Sequence, residues 1–167
     1  MPDAWMIVVG VPLVVLFWCS VVVMISFIGG WHSLAKVYRA EETTFRIARR
    51  DEGKRFRWAS LAMGPNYFPK YGNCVNVVVS ERGIGLRVWL IFRVFHPPLL
   101  IPWSAVESCD LDKQILIFTR ATVYLRDRSN PIRFYGKCAW QIESDWANRN
   151  AAGDAQVPLG YARTSDA

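Results

Sequence analysis

The sequence predicts a membrane-anchored, mainly β protein. One N-terminal transmembrane helix is followed by an antiparallel barrel or sandwich of about seven short strands, capped by a C-terminal helix. Three observations carry this reading. No charged residue occurs between Asp3 and Lys36. From Arg55 onward, short runs rich in β-branched residues alternate with Gly, Pro, Asn and Asp turn signals. Cys138, Ile142 and Trp146 then recur at i, i+4 and i+8, one stripe of a helix.

The apolar run covers residues 4–30, AWMIVVGVPLVVLFWCSVVVMISFIGG. A helix rises about 1.5 Å per residue, and about 20 apolar residues cross a hydrocarbon core. The run is long enough to span with some tilt. Trp5 and Trp31 bracket it, about 39 Å apart on an ideal helix, and Trp18 lies between them. Trp5 and Trp31 suit the two headgroup layers that Trp prefers, and Trp5, Trp18 and Trp31 are the expected membrane anchors. Pro12 removes one backbone donor, which membrane helices tolerate. A cleaved signal peptide fits less well, because the run is long and no basic residue precedes it. A buried core helix would need more chain to wrap it than 167 residues offer.

The flanks differ in sign. Asp3 precedes the run, whereas Lys36, Arg39, Arg46, Arg49, Arg50, Lys54, Arg55 and Arg57 follow it. Positive flanks stay in the cytoplasm, so the N-terminus is expected outside and the remainder inside, at a bacterial inner or plasma membrane. The net charge of +6 gathers near the membrane. Each Lys or Arg beside an anionic leaflet gains about 1 kcal/mol, so anionic headgroups explain the charge more simply than nucleic acid, which is not expected as a partner. The expected lipid-facing basic residues are Lys36, Arg39, Lys54, Arg55, Arg57 and Arg82.

After the span, Trp31, Leu34, Ala35 and Tyr38 keep helical spacing and read as an amphipathic collar at the interface. Residues 41–54 are charged and mixed in sign, a solvated linker. Together, residues 31–54 form the expected juxtamembrane segment. A β domain follows over 55–149. Strands are expected at 56–63, 74–80, 85–92, 99–101, 106–111, 115–119, 122–126 and 132–135, with turns at 81–83, 112–114 and 127–131 and a loop at 64–72. Gly83 and Gly85 form a GxG that leads into a strand, so it is a hairpin turn and not a nucleotide loop. The helix from Gly136 should lay Ile142 and Trp146 on the sheet, and Asp145 can reach Arg149. Residues 150–167 lack periodicity and read as a disordered tail.

Two stretches carry a family likeness. VVVSERGIGLRVWLI (77–91) resembles the strand, turn, Gly, strand hairpin of GRAM-like and bacterial PH-like domains. LLIPWSAV (99–106) resembles their apolar strand followed by Ile-Pro-Trp. With the order of elements, the chain resembles the pleckstrin-homology-like superfold over about residues 56–149, and also bacterial membrane proteins with one N-terminal span and a small β-rich domain. The resemblance implies a half-open barrel plugged at one end by the last helix. It does not carry function. The paired basic residues that eukaryotic PH domains place in the first hairpin loop are missing; Lys70, Arg82 and Arg93 are scattered.

No catalytic constellation is present. His32 and His96 are far apart, and Asp110 and Asp112 flank a turn. The four cysteines, Cys19, Cys74, Cys109 and Cys138, make no metal-ligand spacing. No enzyme activity, cofactor or metal is expected. The expected function is that of a single-pass binding module, presenting its domain to lipid headgroups or to a protein partner. Tyr67, Phe68, Tyr71, Phe95 and His96 are the candidate partner contacts. His96, beside two prolines, reads foremost as a surface loop residue. An alternative is an accessory subunit of a larger membrane complex, with Ser26 and Gly30 as a small-xxx-small helix contact.

Overall fold

The computed structural model describes residues 4–50, 53–63, 70–113 and 119–154. The chain opens with helices α1 (Ala4–Ile28), α2 (Trp31–Tyr38) and α3 (Glu42–Arg50). Seven strands follow: β1 (Lys54–Ala62), β2 (Lys70–Ser80), β3 (Gly83–Val88), β4 (Leu99–Pro102), β5 (Val106–Lys113), β6 (Thr119–Leu125) and β7 (Arg128–Tyr135). Helix α4 (Lys137–Asp154) closes the described chain.

The strands form one antiparallel sheet in the order β4-β3-β2-β1-β7-β6-β5. The first strand pairs with both β2 and the last strand, so two meanders meet at β1. Register shifts curl the sheet into a half-barrel, because an extra residue on one strand bends it and increases its twist. The clearest lies on β1, where Arg57 and Trp58 oppose a single residue between the pairs Phe56–Val77 and Ala59–Val75. A second sets Ser60 against Asn73, which is left-handed at φ 48° and accepts the Ser60 hydroxyl at 3.0 Å.

The inward faces of β1–β7 supply the core: Leu61, Val75, Val77, Ile84, Leu86, Ile101, Val123, Ile132 and Phe134 are all buried. Helix α4 lays Cys138, Ala139 and Ile142 on it, with Trp146 at the margin, as the stripe predicts. Asp145 accepts the Gln141 amide at 2.7 Å, while Arg149 sits over the Trp103 ring.

Helix α1 is continuous through Pro12, and Val8–Ile28 is long and apolar enough to cross a membrane. Gly30, left-handed at φ 74°, ends it and starts α2. Here the structure departs from the sequence expectation. Helix α2 turns its apolar stripe into the domain: Trp31, Leu34 and Tyr38 belong to the domain core, and Arg39 bridges to Leu99 at the β4 edge. An amphipathic stripe suits an interface or a core equally, and the open edge of β4 supplies the core. The charged linker is also structured. Helix α3 lays the Phe45 ring over Gly85 of β3, where a missing side chain leaves room.

Smaller differences follow from local chemistry. Strand β2 begins at Lys70, earlier than its β-branched run. Strand β3 stops at Val88, because residues 89–98 leave the sheet through a single 3₁₀ turn at Leu90–Phe92. Strand β5 continues through Asp112 into Lys113, and β7 takes in Pro131, leaving a two-residue turn at Arg126–Asp127. Helix α4 runs past residue 150 to Asp154. The loop expected at 64–69, most of the strand expected at 115–119, and the tail beyond 154 lie outside the described residues.

Candidate functional site

The β1 bulge builds the most distinctive surface of the domain. Trp58 holds φ at 59°, a conformation that costs a non-glycine residue about 1–2 kcal/mol. The bulge turns Trp58 outward, 54% exposed, and sets its ring 5.1 Å from that of Trp89. Strain of this kind gathers where a side chain is aimed for use. The two indoles form one wall of an open groove of about 270 Å³.

Four arginines line that groove: Arg55 and Arg57 from β1, Arg87 from β3 and Arg93 from the β3–β4 loop. Helix α3 prepares Arg87, whose guanidinium lies over the Phe45 ring, 5.5 Å from its centroid, and pairs with the Glu42 carboxylate. Its Nε is buried and unpartnered among the described residues. Burial, and then the charge of Arg93, lowers the Arg87 pKa from its ordinary value, while Glu42 pulls the other way. Arginine stays charged under both influences. Glu42 of α3 is held by Arg87 and Arg46, and no carboxylate lines the groove among the described residues. The groove is therefore an electropositive slot with an aromatic wall. Guanidinium forks match phosphate oxygens in a bidentate fashion.

The groove is joined to α1 by the β3–β4 loop. Trp89 leads out of the groove, and Phe92 packs on Trp18 of α1, with ring centroids 5.4 Å apart. The Ser26 hydroxyl of α1 donates to the Phe95 carbonyl at 2.9 Å, and the Trp31 indole N–H donates to the Pro97 carbonyl at 3.0 Å. Under these contacts lies a buried polar cluster. The Tyr71 hydroxyl is 3.3 Å from the Ile25 carbonyl and 3.4 Å from His96 Nε2. His96 Nδ1 is 3.0 Å from the Val94 carbonyl, which only accepts, so Nδ1 carries the proton and Nε2 presents a lone pair. Burial lowers the His96 pKa, against opposing backbone hydrogen bonds at Val94 and Phe92. Burial also raises that of the Tyr71 phenol.

The structure sorts the residues singled out from sequence. Arg55 and Arg57 meet in the groove. Lys54 turns instead to Gln141 of α4, donating to its Oε1 at 3.0 Å. Lys36, Arg39 and Arg82 are exposed and lie outside the groove lining. Trp5 falls in the first turns of α1 and Trp18 at its middle, partly exposed. Trp31, expected at the headgroup layer, is wholly enclosed in the core. Tyr71 and His96 are buried as well, which removes both as partner contacts and His96 as a surface loop residue. Phe95 is exposed, at a φ of 59°. Tyr67 and Phe68 lie outside the described residues.

Sequence reasoning missed Trp58, Trp89, Arg87 and Phe45. A signal existed for the two tryptophans: at Arg57-Trp58 the strand alternation slips, and at 89–95, WLIFRVF, it is lost altogether. No group of three metal-ligating side chains forms among the described residues. The chain matches no protein-family model, and no curated protein is similar enough in sequence to stand as a relative.

Proposed function

We propose that this chain is a single-span membrane protein whose β domain binds an anionic phospholipid headgroup in the groove of Arg55, Arg57, Arg87 and Arg93. In this reading α1 spans the bilayer with its N-terminus outside, and the domain lies under the cytoplasmic leaflet. The domain is a PH-like half-barrel; its strand order and closing helix support that assignment. The observation that carries the function is the groove itself. Four arginines line it beside two indoles in tilted contact, and the loop that bounds the groove rests on the apolar helix. Phosphate suits the arginines, and indoles favour the headgroup layer.

The test uses the full chain in detergent with short-chain phosphatidylglycerol or phosphatidylcholine, read by tryptophan fluorescence. The anionic lipid should bind more tightly. The pair Arg55→Gln and Arg57→Gln should weaken that binding about tenfold, equivalent to about 1.4 kcal/mol. Equal binding of both lipids, or no effect of the pair, would overturn the assignment. Inorganic phosphate serves as a further competitor: displacement by phosphate alone would make the ligand a soluble anion.

One feature favours a second reading, a protein partner. Strand β5 ends the sheet with no further strand beside it among the described residues, and an edge of this kind can accept a peptide strand. Release of such a partner as a larger particle, when membranes are extracted gently, would support the accessory-subunit form of that reading.

A further inference from the structure

We infer that the β3–β4 loop, residues 89–95, enters the bilayer hydrocarbon beside α1 as a second membrane-inserting element. The inference rests on α1 being a membrane span, and it is independent of headgroup binding.

The first observation is exposure. Leu90 is 66% exposed, Ile91 51% and Phe95 60%, with Trp89 and Val94 also open. Five large apolar residues in a stretch of seven leave a contiguous patch that water does not favour. The second observation is position. The patch does not stand apart; it continues the lipid-facing surface of α1. Phe92 touches Trp18, which lies ten residues before Ile28. That is about 15 Å of helix rise. If α1 spans, Phe92 reaches the level of its middle, whereas Phe95 is held near its end by Ser26. The loop therefore runs up the span and back.

The third observation is backbone pairing. Irregular backbone survives in hydrocarbon only where its polar groups have partners. Here the Phe92, Arg93 and His96 N–H groups donate to the carbonyls of Trp89, Leu90 and Arg93 at 2.9, 3.2 and 2.9 Å. The Trp89 N–H donates to Cys74, and the carbonyls of Val94, Phe95 and Pro97 are taken by His96, Ser26 and Trp31. The loop's one charge, Arg93, lines the groove with Arg87 instead of joining the apolar patch. A long cationic side chain can snorkel in this way while its neighbours stay in lipid.

The experiment reconstitutes the full chain in mixed phosphatidylcholine and phosphatidylglycerol vesicles carrying a phospholipid with a diazirine in its acyl chain. After photolysis, adducts are mapped by mass spectrometry, and a parallel sample is footprinted with hydroxyl radicals. The expected result is adducts on both α1 and the 89–95 peptide, with that peptide protected from the radical. The variant Leu90→Glu with Ile91→Glu should lose the loop adducts and keep those on α1. Adducts on α1 alone, with residues 89–95 oxidised, would overturn the inference and leave the span intact. Protection of the loop without lipid adducts, together with a crosslinked dimer, would place a second copy there and overturn it too. Absence of adducts on α1 would overturn the span itself, and with it this inference.

Discussion

His96 shows how one buried side chain ties the loop to the helix. It stands between Tyr71 and the Val94 carbonyl, under the Trp31 ring. The fold holds the imidazole neutral, so its pKa lies below the ordinary value of about 6.5. As pH falls, the unfolded chain therefore takes up this proton before the folded one. The stabilisation is complete above about pH 6.5 and is lost as pH drops through the lower, folded value. Thermal melts of the detergent-solubilised full chain should show Tm falling as pH drops below about 6.5. His96→Asn keeps an N–H near the Val94 carbonyl but cannot titrate, and should flatten that fall. An equally steep fall in the variant would assign the pH dependence to other groups. In the sequence, His96 beside two prolines looked like a loop residue, and a loop residue it is. What could not be read was its burial, because Trp31 and Tyr71 approach it from distant parts of the chain. Arg55 and Arg57 were legible as lipid-facing charge, whereas the role of Trp58 depends on a bulge that only strand pairing reveals.

Among the elements, the hinge between α1 and α2 governs how the apolar helix meets the domain. A Cβ at Gly29 would stand 2.5 Å from the Tyr71 hydroxyl and 2.7 Å from the Ile25 carbonyl oxygen. Neither the ring, which rests on Trp31 and His96, nor the helix backbone has room to yield. Gly29→Ala should therefore cost about 1–3 kcal/mol, the usual range for overpacking, and lower Tm. Gly10→Ala meets nothing within 4 Å and improves helix propensity, so it should leave Tm level or raise it. Equal behaviour of the two variants would mean that the hinge does not constrain the fold. Most elements were legible because period and turn chemistry agree: the stripe of α4, the β-branched run of β2 and the Pro-Trp break after β4 all fall where they should. The failures share a cause. Helix α3 hides in a mixed-charge stretch because its packing contact, Phe45 on Gly85, is tertiary. Strand β3 reads as longer in sequence because apolar content alone does not distinguish a strand from a loop that packs on α1.

At the scale of the whole molecule, α1, the hinge, the half-barrel and the β3–β4 loop pack as one unit. The domain does not begin after a linker; its core takes in Trp31, Leu34 and Tyr38 from α2, which follows directly on α1. Sequence periodicity located most of the strands in order, with one segment more than the seven the sheet contains, but long-range closure decides which residues face water, and no local pattern encodes that. The proposed orientation, domain inside and N-terminus outside, belongs to this scale, and the native thiols are poor reporters of it. Burial pushes Cys109 up to about 12 and Cys138 up to about 11, and raises Cys74 as well. The thiolate is the reacting form, so all three stay slow towards maleimides while the protein is folded. Ser104, exposed on the 3₁₀ turn Trp103–Ala105 between β4 and β5, offers a clean position. In intact cells Ser104→Cys should resist a membrane-impermeant maleimide, and it should label fully once the membrane is permeabilised. A cysteine placed at Asp3 should show the opposite order. Labelling of Ser104→Cys from outside would invert the topology and move the arginine groove to the outer leaflet. In that case the cluster of Lys and Arg after the span would stand against the charge rule that orients such helices, and the basic face would need an outer-leaflet anion to meet.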